Sequence, residues 1–211
     1  MSFFRLVLCT VFAACALAEE QNSTKNPNAY AENQTCFSQQ NISYMTSLNN
    51  TFYVRKRDYN ITTQYSCLSA RKAGEYGNGS YAYTLSARIN GTFVSYNVTS
   101  TPKTTGNHSA NNSIVYQEFP GTNATDHKLM TTDDNHTCFL FATHLYYGGY
   151  GCLLVVIEEI ADQDIPPACL TVYEEQCEQG IDPYDASCKN KTSSKSKDSK
   201  EASGQNTASC S

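Results

Sequence analysis

Apolar and polar residues alternate along the central part of the chain, from Thr51 to Glu159, as is typical of β-strands. Tyr, Val, Thr, Ile and Phe are frequent there, and Gly, Asn and Pro interrupt the runs at hairpin-like intervals. Eight consecutive strands without intervening helices predict an antiparallel meander. The candidate strands are Thr51–Tyr59, Gln64–Ala73, Gly79–Ile89, Thr92–Ser100, Ser113–Phe119, His127–Thr132, Thr137–His144 and Tyr150–Glu159.

The alternation also predicts which face of two neighbouring strands is buried. In Gly79–Ile89 the odd positions are mostly large and apolar and include Tyr81 and Tyr83. In Thr92–Ser100 a sugar-acceptor motif requires one set of alternating positions to face outward, which leaves Tyr96 on the inner face. A sheet of this kind is expected to close into an eight-stranded antiparallel barrel, filled by side chains or holding one small ligand.

The segments outside the strands have different patterns. Met1–Ala18 combines one charge, a short apolar run and a small-residue cleavage motif, and predicts a secretory signal peptide. Residues 19–50 are polar and predict an N-terminal arm with at most a short helical turn. One C-terminal helix is predicted between Pro166 and Gly180. Residues 189–211 are rich in Lys and Ser and predict a disordered tail.

Charge and motifs exclude several functions. Without the signal peptide the chain has fourteen basic and twenty acidic residues, so we expect no binding to nucleic acid or to an anionic membrane. The motifs of serine hydrolases, zinc peptidases and nucleotide-binding loops are missing, so we expect neither an enzyme nor a cofactor. Adjacent carboxylates such as Glu158 and Glu159 point to opposite faces of a strand and cannot act as a pair.

N-glycosylation motifs are unusually frequent and indicate a secreted glycoprotein, although a chain rich in Asn, Thr and Ser forms some of them by composition alone. Within the strands and turns we expect glycans at Asn60, Asn78, Asn90, Asn97, Asn107, Asn123 and Asn135. The other motifs begin at Asn22, Asn33, Asn41, Asn49, Asn111 and Asn190.

Eight cysteines follow the signal peptide, and an even number in an oxidising compartment predicts a disulfide framework. None has CxxC spacing and the four histidines lie apart from the cysteines, so no metal site is expected. The cysteines are Cys36, Cys67, Cys138, Cys152, Cys169, Cys177, Cys188 and Cys210.

Four short motifs resemble the tick salivary lipocalins, the secreted proteins grouped with the tick histamine-binding proteins. They are YSCLSA around Cys67, HTCFLF around Cys138, DIPPACLTVYEEQC ending at Cys177 and YDASC ending at Cys188. The resemblance implies a lipocalin barrel closed by a C-terminal helix over residues 51–188, with a cavity that sequesters host mediators.

The resemblance also implies two disulfides, Cys67–Cys188 and Cys138–Cys169. For the remaining cysteines the first pairing to consider is Cys152–Cys177, which leaves Cys36 to pair with Cys210. Pairing of Cys36 with Cys152 is the alternative.

The family's amine binders carry acids that are missing from the matching positions here. One follows the cysteine that matches Cys138, and here it is Phe139. A second lies in strand eight, where this chain has Gly151, and a third is replaced by Thr62. A buried ammonium needs a carboxylate partner, so the resemblance argues against histamine or serotonin.

The first strand offers a cation instead. If Asn60 faces outward, Arg55 and Arg57 share the inner face and can bind a carboxylate at the cavity mouth. The alternative is that Asn60 lies beyond the strand end, so that the arginines face solvent and Phe52 and Val54 point inward.

Tyr59, Tyr81, Tyr83 and Tyr96 would complete an apolar pocket with a few hydroxyl groups, which suits a fatty acid or a leukotriene. In the alternative, the tyrosines fill the barrel and the function lies on its outer surface.

We therefore expect a secreted, monomeric salivary protein that sequesters a small host inflammatory mediator, a lipid in preference to an amine. The alternatives are histamine or serotonin binding, and a scaffold that masks a plasma protein of complement or coagulation. Dense glycans argue against a large protein interface and also allow a role in hiding the surface from host antibodies.

Overall fold

The computed structural model of the protein describes residues 25–190. The predicted signal peptide, the start of the arm and the tail from residue 191 onward lie outside the described residues, as does Cys210.

The eight strands form one closed antiparallel barrel, which confirms the predicted fold class. Each strand pairs with the next one along the chain, and β8 returns to pair with β1. Most strand ends lie within three residues of the predicted ones. The strands are β1 Thr51–Arg57, β2 Ser66–Glu75, β3 Tyr81–Ile89, β4 Thr92–Lys103, β5 Ser113–Tyr116, β6 Thr125–Thr132, β7 Cys138–His144 and β8 Tyr150–Ile157.

The N-terminal arm closes one end of the barrel. It contains more helix than predicted: α1 (Pro27–Ala31), a 3₁₀ helix (Gln34–Gln39) and α2 (Ser43–Thr46). From α2, the buried Met45 packs among the interior side chains of the barrel. Because α2 leads directly into β1, the loops β1–β2, β3–β4, β5–β6 and β7–β8 all lie at the opposite, open end.

Two apolar clusters lie on the two faces of the barrel wall. The inner cluster includes Phe52, Phe139 and Val155, and the outer cluster includes Leu140 and Leu154. Strands β7 and β8 are buried on both faces because α1 and the C-terminal helix cover them from outside. This explains why they read as continuous apolar runs rather than alternating ones.

The C-terminal helix α3 (Pro167–Gln176) agrees with the predicted segment. Its Cys169 and Tyr173 are buried against the outer face of the barrel. A 3₁₀ helix, Ala186–Lys189, follows near the end of the described residues. No helix among residues 25–190 is long and apolar enough to span a bilayer.

Three disulfides attach the C-terminal segment to the barrel, and they pair as expected: Cys67–Cys188, Cys138–Cys169 and Cys152–Cys177. The alternative pairing of Cys36 with Cys152 is therefore wrong. Cys36 is half-buried and has no disulfide partner among the described residues.

A β-bulge in β1 decides the direction of the two arginines. Val54 pairs with Val155 and Lys56 with Leu154, so Arg55 is an extra residue without a partner on β8. A bulge of this kind shifts the alternation by one residue. Before it the even positions point inward, and after it the odd position Arg57 does so. The two alternatives for this strand are thus each correct for one part of it.

Candidate functional site

The barrel encloses a cavity of about 460 Å³ that reaches the open end. This volume lies within the range of about 300–1,000 Å³ that is usual for small-molecule sites. Apolar side chains such as Met45, Phe52, Ile114 and Phe141 line the part nearer the arm. The tyrosines therefore do not fill the barrel.

Polar side chains converge in the half of the cavity nearer the open end. The centre of this group is Glu118, in the β5–β6 loop, whose side chain is 21% exposed. The Tyr59 hydroxyl donates a hydrogen bond to Glu118 Oε1 over 2.6 Å. His127 Nε2 lies 3.2 Å from the same oxygen, and the Tyr96 hydroxyl donates to the Glu118 backbone carbonyl. One loop residue is thus held by side chains from three strands or strand ends.

The environment keeps Glu118 ionised. Burial alone raises the pKa of this carboxyl, but the hydrogen bond and charge of His127 act in the opposite direction. The Tyr59 hydroxyl and the charge of Arg57 add to the effect of His127, so that the net pKa lies below its ordinary value. The 2.6 Å bond from Tyr59 is in the range for a hydroxyl that donates to a carboxylate.

Arg57 is the buried cation of the cavity, with only 2% of its surface exposed. Its Nη2 donates to the backbone carbonyl of Asn60 over 3.3 Å, and its guanidinium lies 6.0 Å from the ring centroid of Tyr59. Its Nε is buried and has no hydrogen-bond partner among the described residues. No carboxylate of the described part of the chain lies within 4.0 Å of the guanidinium nitrogens, so the charge lacks a close counter-ion.

Arg55, in contrast, does not reach the cavity, and its predicted place at the mouth is wrong. Its Nη1 donates to the backbone carbonyls of Ala161 and Gln163, at 2.8 and 2.9 Å, on the outer side of the barrel. Its Nε lies 3.4 Å from Asp182. The bulge that brings Arg57 inward leaves Arg55 outside.

Three of the four predicted tyrosines line the cavity: Tyr59, Tyr83 and Tyr96. The Tyr83 hydroxyl is buried and has no hydrogen-bond partner among the described residues, and burial raises its pKa. The fourth, Tyr81, is not part of the lining. It lies at the arm end of β3, where its ring is 5.1 Å from the Lys72 ammonium.

The three positions of the family's acids have other roles here. Phe139 is fully buried in the inner cluster, where its ring makes a T-shaped contact with Phe52. Thr62 is exposed in the β1–β2 loop. Gly151 faces Tyr59, whose Cδ1 lies 2.7 Å from the place that a Cβ on residue 151 would take.

Sequence reasoning missed the two residues at the centre of the polar group, Glu118 and His127. The sequence pattern does indicate Glu118, because it is an even-numbered position of the predicted strand, like Ile114 and Tyr116. Both of these line the cavity. Glu118 lies outside the three positions at which the resemblance places the family's acids.

The seven predicted glycosylation sites differ in exposure. Asn78, Asn90, Asn97, Asn107, Asn123 and Asn135 are exposed, and Asn60 is half-buried. Asn97 accepts a hydrogen bond from the hydroxyl of Thr84 on the outer face of the barrel, as the alternation predicts.

Among residues 25–190, two groups of potential metal ligands each include a disulfide, Cys152–Cys177 or Cys67–Cys188. Their sulfurs are committed to those bonds and are not free thiolates.

A closed eight-stranded barrel with an internal cavity and a C-terminal helix defines a lipocalin fold. The profile of the family described as tick histamine binding protein matches residues 18–190, and the chain belongs to that family.

Solved structures are similar to this one at low sequence identity. Japanin from Rhipicephalus appendiculatus, bound to cholesterol, is 16% identical with a TM-score of 0.50, over 67% of this chain and 96% of its own. The cockroach allergen Per a 4 is 14% identical with a TM-score of 0.47, over 69% of this chain and 90% of its own. AM182 in its serotonin complex is 14% identical with a TM-score of 0.47, over 76% of this chain and 91% of its own. A comparison with curated protein sequences finds no match.

Proposed function

We propose that this protein is a secreted salivary carrier that sequesters a small acidic lipid, such as a fatty acid or a leukotriene, in the barrel. The observation that carries the proposal is Arg57, a buried guanidinium in a largely apolar cavity, whose Nε has no hydrogen-bond partner and which no carboxylate contacts among residues 25–190. A buried charge is costly unless an opposite charge approaches it. A ligand carboxylate would supply that charge through a charge-assisted hydrogen bond.

The distribution of polar groups supports an oxygenated chain. Arg57 lies in the half of the cavity nearer the open end. The Tyr83 hydroxyl, which has no partner in the described part of the chain, lies nearer the arm, and apolar side chains surround both groups. A lipid with a carboxylate near the mouth and a hydroxyl along its chain would satisfy both groups.

The direct test is calorimetry or native mass spectrometry of the glycosylated protein with arachidonate, a leukotriene, cholesterol, histamine and serotonin. We expect the two acidic lipids to bind, and Arg57→Gln to weaken them by about 1.5–3 kcal/mol. Cholesterol, which the Japanin structure contains, has no carboxylate, so any affinity for it should survive the change.

Arg71→Gln is the matched control, because Arg71 lies exposed on the barrel wall and its loss changes the net charge equally. Equal weakening of arachidonate by both changes would contradict a role for Arg57 inside the cavity. No binding across the whole panel would favour a protein target instead.

Glu118 supports a second candidate, a biogenic amine. It is an ionised carboxylate in the cavity, which is the group that an ammonium requires, and the acids missing from the family's positions do not exclude it. Binding of histamine or serotonin in preference to arachidonate, lost in Glu118→Gln, would establish this candidate.

A further inference from the structure

We propose that His127 determines ligand specificity: it is the internal counter-ion of Glu118 and keeps this carboxylate from binding amines. The inference rests on the proposed function, since it explains why a cavity that contains an acid would take a lipid anion.

The contacts of the His127 ring fit a charged imidazolium. The ring is 1% exposed and stacks on Tyr116, with 4.0 Å between the ring centroids. Nδ1 lies 3.1 Å from the backbone carbonyl of Thr125, and Nε2 lies 3.2 Å from Glu118 Oε1. A carbonyl and a carboxylate only accept hydrogen bonds, so a ring that makes both bonds donates from both nitrogens. The ring that satisfies both contacts is the imidazolium.

Glu118 needs this cation. Its carboxylate lies in the wall of a largely apolar cavity, and the guanidinium of Arg57 is not within 4.0 Å of it. His127 forms the ion pair with Glu118 that the structure contains, and Tyr59 donates to the same oxygen, Oε1. An incoming ammonium would therefore approach a carboxylate that is already neutralised and hydrogen-bonded.

The charge balance of the whole group then favours an anion. Arg57 and the imidazolium contribute two positive charges, and Glu118 contributes one negative charge. A lipid with one carboxylate brings the sum to zero, whereas an amine raises it to two. Since buried net charge is unfavourable, the group selects the anion.

Removal of the imidazolium should abolish the preference for an anion, because Arg57 and Glu118 then balance each other. In His127→Gln a neutral amide replaces the cation, and Glu118 is left as a buried carboxylate that an ammonium can neutralise. We expect affinity for serotonin and histamine to rise at least about tenfold, and affinity for arachidonate to fall, measured by calorimetry at neutral pH. His127→Phe keeps a ring to stack on Tyr116 and should act in the same direction.

The double change His127→Gln with Glu118→Gln is the matched control, since it removes the carboxylate that the amine would use. We expect the gain in amine affinity to disappear in it. Near-ultraviolet circular dichroism of each variant checks that the barrel is intact, and the inference is judged on whichever single variant passes.

Two results would overturn the inference. One is an intact single variant that gains no amine affinity. The other is a natural protein that binds amines tightly and loses this ability in His127→Gln, because His127 would then position Glu118 for the amine. Failure of the proposed function looks different: the natural protein would bind no acidic lipid, whatever the variants do with amines.

Discussion

Tyr59 lies where a side chain on residue 151 would have to be, with its Cδ1 2.7 Å from the Cβ position of Gly151. The same tyrosine donates its hydroxyl to Glu118. Gly151 and Glu118 are therefore linked: the absence of a side chain at 151 leaves room for the ring that hydrogen-bonds Glu118 in the cavity.

Gly151→Ala should displace Tyr59, because non-bonded atoms do not approach a Cβ to 2.7 Å. The Tyr59–Glu118 hydrogen bond would be lost, and overpacking of this kind costs about 1–3 kcal/mol. Urea unfolding should show this loss of stability. Arachidonate should also bind more weakly. Gly74→Ala is the control, since a Cβ at Gly74 meets nothing within 4 Å. Equal stability of the two variants would contradict the link.

Tyr83→Phe separates hydroxylated lipids from plain ones. If the buried Tyr83 hydroxyl bonds a ligand hydroxyl, its removal should weaken a leukotriene by about 0.5–1.5 kcal/mol and leave arachidonate unchanged. The unliganded protein should lose no stability, because this hydroxyl has no partner among the described residues. Tyr81→Phe, outside the cavity lining, serves for comparison in the same calorimetric titrations.

The lowered pKa of Glu118 predicts that the protein loses stability in acid. Its pKa in the folded protein is below the ordinary value, so the fold favours the ionised form. That stabilisation is complete above the unfolded pKa of about 4.3, and it disappears as the pH falls through the lower folded pKa. Glu118→Gln should therefore lose stability at neutral pH but much less below about pH 4. Urea unfolding at several pH values measures this, with the exposed Glu174→Gln as reference.

The three disulfides should differ in their contribution to stability. Cys67–Cys188 closes a separation of 121 residues, and Cys152–Cys177 one of 25 residues. Chain entropy then makes the longer link more stabilising, by about 1.4 kcal/mol. Paired Cys→Ser changes of these two bridges should be compared by denaturant unfolding. The loss of Cys67–Cys188 should lower the free energy of unfolding more than the loss of Cys152–Cys177. The reverse order would mean that local packing around α3 outweighs loop closure.

The alternation of residues was sufficient to predict the barrel and the inner faces of β3 and β4. Tyr83 lines the cavity and Asn97 is exposed, as expected. It was not sufficient for β1, because the bulge at Arg55 depends on how β1 pairs with β8, which is about 100 residues away. Arg57 faces the interior only because of that bulge.

The polar group was predictable only in part. The alternation that begins in β5 places Glu118 on the inner face, together with Ile114 and Tyr116. The contact with His127 is local, because β6 pairs directly with β5, but the contact with Tyr59 depends on the closure of the barrel, which brings the end of β1 to the β5–β6 loop. No local pattern in the sequence contains that information.

The arrangement of loops at the open end has a consequence for how the proposed ligand would reach the cavity. Three of the four loops there, β1–β2, β3–β4 and β5–β6, contain Asn60, Asn90 and Asn123, whereas the β7–β8 loop contains the exposed Tyr146 and Tyr147. Oligosaccharides on those asparagines would hold the rim away from cell surfaces and from lipid-loaded carrier proteins. The barrel would then take up only molecules that have already escaped into free solution. Its speed as a scavenger would be set by how quickly they desorb from their sources.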